Sequence, residues 1–215
     1  QIWTDVDGIM TADPRIVPEA RRIRTLSFNE ALELACSGAK KPHYGTLGPA
    51  SRANVPIRIL NSLHPAEGTL IGRRNSAGIK SIACRPGVHQ LTVHGDLERV
   101  WEVCERFRPA LLTLSVEEDR VELSLDRPDR LPEIREAFSR VEVSPGRTVV
   151  TLVSEDLATN PGLVERVLEM ARPWEPRLLL EGVSAPCVRC LVDERKAETV
   201  IAELHERVFP DGDIP

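Results

Sequence analysis

Two short loops carry residue types suited to holding a small charged ligand. The first is His94-Gly95-Asp96, and the second runs from Glu155 to Gly162. Each loop is expected to join a strand to the N-terminus of a helix, where free backbone N–H groups favour carboxylates and other anions. The candidate residues for an amino-acid ligand are Gly95, Asp96, Asp156, Asn160, Pro161 and Gly162. The alternative is an ordinary strand–helix turn in which Asp96 caps the helix.

A second candidate is the pair Cys187 and Cys190, which has the CxxC spacing of a redox motif or of half a zinc site. No second cysteine or histidine pair accompanies it, and residues three apart on a strand point to opposite faces. The pattern therefore favours two small apolar side chains and no metal site. The chain has five cysteines, and such an odd, scattered set indicates a reducing compartment, the cytoplasm.

The two loops belong to a repeat with an offset of 67 residues. Leu97-Glu-Arg-Val-Trp101 aligns with Val164-Glu-Arg-Val-Leu168, and Val121–Asp126 aligns with Val188–Asp193. Apolar residues at helical spacing predict an amphipathic helix in each unit, and in the first unit they are Leu97, Val100, Trp101, Cys104 and Phe107. Strands flank each helix, so each unit reads βαββα, and a closing strand would complete the ferredoxin-like βαββαβ pattern. The predicted fold class is therefore an α/β fragment followed by two α+β units.

Residues 1–72 lie outside the repeat and supply the α/β fragment. Ser27 and Glu30 have the spacing of a capping box, which predicts the start of a helix. Asn54–Leu60 and Gly68–Gly72 predict two strands. The fragment has little apolar material for a core of its own and looks like the end of something larger. The predicted domains are residues 1–72, 78–145 and 146–210.

Composition and charge argue against two classes of partner. The formal net charge is −5 and the isoelectric point is near 5.6, with no basic stripe interleaved with aromatic residues, which argues against nucleic acid. No apolar run approaches the roughly 18 residues that a membrane helix needs. Residues 1–20 lack the basic start and apolar core of a secretory signal. We therefore expect a globular protein that binds neither nucleic acid nor a membrane.

The segment Trp3–Arg15, WTDVDGIMTADPR, resembles the nucleotide-side motif of the aspartate kinase family, usually W-T-D-V-x-G-I-Y-T-A-D-P-R. The similarity continues through Ser37-Gly-Ala-Lys40, Asn54–Arg58 and Gly78–Arg85, and it covers residues 2–210. In that family the kinase domain is followed by a tandem pair of regulatory ACT domains, each with the pattern βαββαβ. This order agrees with the repeat found from the residues alone.

The resemblance implies a kinase that transfers the γ-phosphoryl group of ATP, with Mg²⁺, to the β-carboxylate of L-aspartate. This reaction begins the synthesis of lysine, threonine and methionine. The resemblance assigns the nucleoside to Thr4, Asp5 and Met10, the last of which is normally tyrosine in the family. It assigns the phosphates to Arg15 and Lys40, since cations suit a triphosphate. Lys41, which stands where the family has an apolar residue, is a further candidate for the nucleotide site. It also implies a homo-oligomer through the ACT domains and an amino-acid effector, lysine or threonine.

The sequence also departs from the family, and the departures leave an alternative open. Met10 lacks the aromatic face and hydroxyl of tyrosine, and the loop at Gly95 is very short for an effector site. The family's Lys-x-Gly-Gly-Thr phosphate loop and its aspartate-binding residues are not found in these 215 residues, so we expect this chain alone to be inactive. The alternative is a non-catalytic, ACT-type amino-acid sensor or a regulatory subunit.

Overall fold

The computed structural model describes residues 1–38, 43–73, 77–107, 111–117, 120–126, 128–174, 177–179 and 187–210. The first part of the chain contains six elements: β1 (Ile2–Thr4), β2 (Thr25–Ser27), α1 (Phe28–Cys36), α2 (Tyr44–Ala53), β3 (Ile57–Asn61) and β4 (Thr69–Gly72). The second part contains β5 (Ser81–His94), α3 (Leu97–Phe107), β6 (Leu111–Val116), β7 (Arg120–Leu125), α4 (Leu131–Ala137), β8 (Val141–Val153), α5 (Pro161–Ala171), β9 (Arg177–Leu179), β10 (Cys187–Asp193) and α6 (Ala197–Val208).

The first four strands form one sheet in the order β1-β3-β4-β2. The β1–β3 and β4–β2 pairs are parallel, and the β3–β4 pair is antiparallel. The predicted strands near residues 54–60 and 68–72 are present, and β1, β2 and α2 are additional elements. Helix α2 was not predicted because Gly48 and Pro49 lower helix propensity. It is capped by the His43 ring, which accepts the N–H of Gly45, and it buries Leu47.

The remaining six strands form one sheet in the order β6-β7-β5-β8-β10-β9. Strands β5 and β8 run antiparallel along nearly their whole length and are shared by both units. The later half of β5 and the earlier half of β8 pair beside β7, which gives the first unit its ferredoxin-like strand order. The earlier half of β5, Ser81–Arg85, pairs with Val149–Val153 and so fills the fourth strand position of the second unit.

The closing strand of the second unit therefore precedes that unit in the chain. The described residues after α6 form no strand. The predicted boundary between 78–145 and 146–210 falls within β8, and β5, which lies wholly in 78–145, contributes its first half to the second unit. The two ferredoxin-like units are therefore interleaved and not consecutive. The repeat could not reveal this, because strand exchange between units leaves the local pattern of each unit unchanged.

The predicted apolar face of α3 is wrong in part. Val100 and Val103 are buried, whereas Leu97 and Trp101 are exposed, at 43% and 55%. The Trp101 indole donates to the Glu105 carboxylate on the next turn. Because Leu97 and Trp101 fit the same 3.6-residue spacing as the buried side chains, the sequence pattern alone could not separate the solvent face from the core.

The cysteine pair behaves as the sequence predicts. Cys187 packs in the apolar cluster of the first sheet, and Cys190 packs in the cluster beneath α5 and α6, so the two thiols face opposite sides of β10. Burial raises the pKa of Cys190 to about 12.

Among the described residues no group of three or more His, Cys, Asp or Glu side chains could hold a metal ion. In the same residues no helix has the length and apolar character needed to cross a membrane.

The two parts of the chain share their apolar cores. The cluster of the first sheet takes in Val153 and Cys187 from the second. In return, Ala12 and Val17 pack in the cluster of the second unit. Removing either part would expose apolar surface of the other, which explains why residues 1–72 need so little core of their own.

The buried Glu30 side chain joins the two parts through polar contacts. Its carboxylate accepts the N–H of Ser27 at 3.0 Å, which completes the predicted capping box, and the N–H of Glu155 at 3.0 Å. Lys80 is fully buried and its ammonium group donates to the Ala77 carbonyl oxygen at 3.1 Å. Burial lowers the pKa of Lys80, and the nearby carboxylates of Glu30, Asp156 and Glu155 oppose that shift. The carboxylates of both parts therefore balance the charge of Lys80 where the first sheet packs against the second unit. This contact region, around Glu30, Lys80 and Glu155, is called the junction below.

We expect Glu30→Gln to lower the free energy of unfolding by about 3 kcal/mol, since it removes one of the three carboxylates that act on the buried Lys80 and leaves one N–H donor without an acceptor. Urea unfolding followed by circular dichroism measures the change. The matched control is Glu165→Gln on the exposed face of α5, which should change stability by less than about 0.5 kcal/mol. Equal effects of the two substitutions would contradict this account of the junction.

Candidate functional site

The candidate nucleotide residues lie on a loop between β1 and β2 that folds over the junction. Thr4 ends β1 with its side chain buried, and its hydroxyl donates to the Asp5 carboxylate at 2.9 Å. Farther along, the backbone of Met10 bridges to Arg22, and the Met10 carbonyl accepts from the Ser81 hydroxyl at 3.0 Å. The loop is thus held at one end by the first sheet and in its middle by β5.

Asp5, Met10 and Arg15 line one cavity of about 310 Å³. Thr4 lies beside this cavity and orients Asp5 through their hydrogen bond. The structure therefore brings together three of the residues that the sequence assigned to a nucleotide, with the fourth in contact. Lys40 and Lys41 lie outside the described residues.

The Arg15 guanidinium is held by Asp13 and does not project freely. It makes two hydrogen bonds to the Asp13 carboxylate, at 3.0 and 2.5 Å, while most of its side chain is exposed. The Asp13 carboxylate raises the pKa of Arg15, so the cation stays charged at any working pH. Such a planar, fixed cation can accept a phosphate or a carboxylate on its remaining N–H groups.

The rest of the cavity wall comes from residues that are distant in sequence. Leu34 and Gly38 at the end of α1, Ser81–Cys84 of β5 and Ile201 of α6 complete it. Gly38 has a φ of +113°, and a Cβ there would lie 2.4 Å from the Cys84 carbonyl oxygen, so this approach of α1 to β5 requires glycine. Sequence reasoning missed these residues, because no local pattern marks a wall assembled from three separate elements.

Cys84 contributes a thiol to the cavity wall. Burial raises the pKa of this thiol, and Asp13 adds to the effect. Because the thiolate is the nucleophilic form, Cys84 is a packing residue at neutral pH and not a nucleophile.

Both candidate effector loops hold helix caps. Asp96 accepts the N–H of Arg99 at 2.7 Å at the start of α3, and Asn160 accepts the N–H of Leu163 at 3.1 Å at the start of α5. Pro161 occupies the first turn of α5, where its missing N–H costs nothing. Asp96 therefore caps α3, as the alternative in the sequence analysis has it. The other backbone N–H groups in the first turn of each helix are left available to a ligand.

The second loop is also tied to the junction. Its residues Glu155–Ala158 form a short 3-10 helix, and Ser154 caps it. The Asp156 carboxylate accepts the N–H of Gly78 at 2.6 Å, and the Ser154 hydroxyl donates to the Gly78 carbonyl oxygen at 2.9 Å. The structure thus places the two effector loops in different surroundings and does not bring them together.

The chain is similar in sequence to known proteins. Residues 1–61 match the amino acid kinase family. Over 231 residues the chain is 33% identical to the lysine-sensitive aspartokinase 3 of Escherichia coli, and the match covers 97% of this chain and 51% of that protein. The chain is a relative of the aspartokinases. It spans about half the length of the curated relatives that it matches.

Solved aspartokinase structures agree in fold. Escherichia coli aspartokinase III in complex with aspartate and ADP, described as the R-state, superposes with a TM-score of 0.85 at 31% identity over 97% of this chain and 52% of that chain. The same enzyme in complex with lysine and aspartate, described as the T-state, gives a TM-score of 0.82 at 32% identity, over 97% of this chain and 51% of that chain. The mixed α/β fragment followed by ferredoxin-like ACT units is therefore the aspartokinase arrangement.

One further contact joins the loop between β1 and β2 to the second ACT unit. The Thr11 hydroxyl lies 2.8 Å from the His205 imidazole Nε2, and both side chains are buried. Thr11 also accepts the N–H of Arg21 at 2.9 Å. Burial lowers the pKa of His205 and the positive charge of Arg21 lowers it further, against a smaller opposing effect of Glu19. The imidazole is therefore neutral in the folded protein near pH 7.

Because the folded pKa of His205 lies below its usual value of 6.5, the unfolded chain takes up a proton that the folded chain does not. The free energy of unfolding therefore keeps its full value above pH 6.5 as far as this group is concerned. It falls as the pH drops below 6.5, with a limiting slope of about 1.4 kcal/mol per pH unit. We expect His205→Gln to remove this slope in urea titrations at several pH values. The exposed His64→Gln should retain it, and an unchanged slope in His205→Gln would contradict the assignment.

Proposed function

We propose that this chain forms the nucleotide-binding side and the regulatory part of an aspartate kinase. The reaction is transfer of the γ-phosphoryl group of ATP to the β-carboxylate of L-aspartate, under control of an amino acid at the ACT units. The observation that carries the proposal is the convergence of Asp5, Met10 and Arg15 on one cavity. The relationship to aspartokinases over 97% of the chain supports the same conclusion.

Each residue of this cavity has a role that its chemistry supports. The Asp5 carboxylate, oriented by Thr4, can accept hydrogen bonds from a ribose or a base. Arg15, oriented by Asp13, can neutralise phosphate charge, which is the main task in phosphoryl transfer. A volume of about 310 Å³ is at the lower end of small-ligand sites, so the cavity suits the nucleoside end of ATP with the phosphates toward Arg15. Mg²⁺ would accompany the phosphates and neutralise further charge.

We expect this chain to bind ATP with Mg²⁺, as measured by isothermal titration calorimetry. Arg15→Gln should weaken binding by about tenfold, because it removes a charge-assisted contact to phosphate. Asp5→Asn should weaken it less, since the amide oxygen still accepts a hydrogen bond. The exposed Arg135→Gln on α4 is the matched control and should bind ATP normally.

The non-catalytic sensor remains the second candidate, and the neutralisation of Arg15 by Asp13 favours it. Heat from an amino acid in the same calorimeter, with none from ATP and Mg²⁺, would decide for the sensor. Heat from neither ligand would contradict both functions.

The proposed effector is a free amino acid, lysine or threonine, bound at an ACT unit. Its carboxylate would meet the N–H groups of a helix first turn, and its ammonium group would meet Asp96 or Asp156. The crystal structure of Escherichia coli aspartokinase III with lysine shows that a member of this family binds such a ligand.

Asp96→Asn and Asp156→Asn separate effector binding from folding. Asparagine caps a helix as well as aspartate does and still accepts the Gly78 N–H, so both variants should keep their stability. The variant at the occupied loop should bind lysine or threonine about tenfold more weakly by calorimetry. Asp129→Asn, an exposed acid outside both loops, is the control. Unchanged binding in both loop variants would rule these two carboxylates out as ligands.

We also propose that the chain assembles as a homo-oligomer through its ACT units. Strand β6 is an edge of the six-stranded sheet, and its residues Leu111 and Val116 are exposed. Leu97 and Trp101 on α3 are exposed as well. An edge strand with exposed apolar residues, and exposed large apolar side chains, are features that a second copy can cover.

A further inference from the structure

A second cavity, of about 430 Å³, lies in the second unit where β10 ends and α6 begins. Its polar lining consists of Gln90, Arg147, Asp193 and Lys196, and the Trp174 ring forms part of the wall. Leu191, Val192 and Val200 form its apolar floor. Arg147 and Ser154 are near opposite ends of the second half of β8, about 20 Å apart along the strand, so this cavity is separate from the loop at Asp156.

Arg147 lines this cavity from an irregular part of β8. The register of β5 against β8 shifts on both sides of the Val88–Arg147 pair, so both strands are irregular here. Gly146 turns the chain with a φ of +69° immediately before Arg147. Arg147 is half-buried, and its Nε is buried with no hydrogen-bond partner. A buried guanidinium N–H without an acceptor is costly, which indicates that an acceptor from outside the chain belongs here.

The other groups around the cavity make it attractive to an anion. Neither Arg147 nor Lys196 has an ion-pair partner among the described residues. The Asp193 carboxylate, the one acid in the described lining, already accepts the N–H of Arg195 at 3.0 Å. Arg207, which packs on the Trp174 ring at 4.8 Å from its centre, is paired with Glu203 at 3.6 Å and adds no free charge to the cavity. Among the described residues that line the cavity, Arg147 and Lys196 carry positive charge and only Asp193 carries negative charge, so the lining has one more positive charge than negative.

We propose that this cavity binds a small organic or inorganic dianion, a dicarboxylate or a phosphate. Arg147 supplies a planar fork and Lys196 a mobile point charge, and both bind these oxyanions well. The Gln90 amide donates one N–H to the Glu122 carboxylate at 3.5 Å, and its second N–H can donate to a remaining oxygen. The inference does not depend on the kinase proposal, because none of these residues belongs to the nucleotide cavity or to the two effector loops.

Trp174 provides a local signal for testing the site. The chain has three tryptophans, so Trp3→Phe with Trp101→Phe leaves Trp174 as the single emitter. Both replaced side chains are exposed, so the fold should be kept. In this background we titrate inorganic phosphate and, separately, succinate at constant ionic strength, and follow Trp174 fluorescence. We expect a saturable change with at least one of them, and the anion that gives it identifies the class of ligand.

Charge-neutral variants decide whether the change comes from this site. Arg147→Gln and, separately, the exposed Lys196→Gln should each raise the Kd by about tenfold. Arg166→Gln on the exposed face of α5 should leave it unchanged. If Arg147→Gln lowers the melting temperature, Lys196→Gln still tests the site, because it replaces an exposed side chain. No saturable change with either anion, an equal effect of Arg166→Gln, or no effect of Lys196→Gln would overturn the proposal.

Discussion

The buried carboxylate of Glu30 is the interaction on which the arrangement of the two parts depends. It accepts N–H groups from Ser27 in the first sheet's helix cap and from Glu155 in the second unit, each at 3.0 Å. A carboxylate with no exposure needs such donors and a counter-charge, and Lys80 from the connecting segment lies close enough to supply it. Because one side chain satisfies groups from both parts, separating them would break its hydrogen bond to Glu155 and remove its carboxylate from the charge of Lys80.

Strands β5 and β8, which both ACT units share, connect this contact to the rest of the six-stranded sheet. The beginning of β5 forms a wall of the nucleotide-side cavity, and its later part belongs to the first ACT unit. The end of β8 leads directly into the loop that holds Asp156, which in turn binds Gly78. A ligand at that loop and a ligand at the cavity therefore act on the same two strands. This gives the proposed amino-acid control a physical route in which both sites bias one packed element.

Local signals in the sequence predicted much of the fold and part of the site. The capping box at Ser27 and Glu30 is present, and the repeat at an offset of 67 residues gave both ferredoxin-like units because each unit's pattern is local. The motif from Trp3 to Arg15 led to three residues that line one cavity. The exchange of Ser81–Arg85 into the second unit and the exposure of Trp101 were not predictable, since they depend on which surfaces meet in three dimensions. For the same reason Gly38 and Ile201, which complete the cavity, carried no signal, and neither did Arg147.

The central claim is that the kinase-side fragment and the ACT pair form one cooperative body. Differential scanning calorimetry of the chain tests it most directly, because a two-state protein has equal calorimetric and van't Hoff enthalpies. The account predicts a single transition with a ratio of the two enthalpies of about one. Two separate transitions, with the first sheet melting apart from the six-stranded sheet, would contradict it.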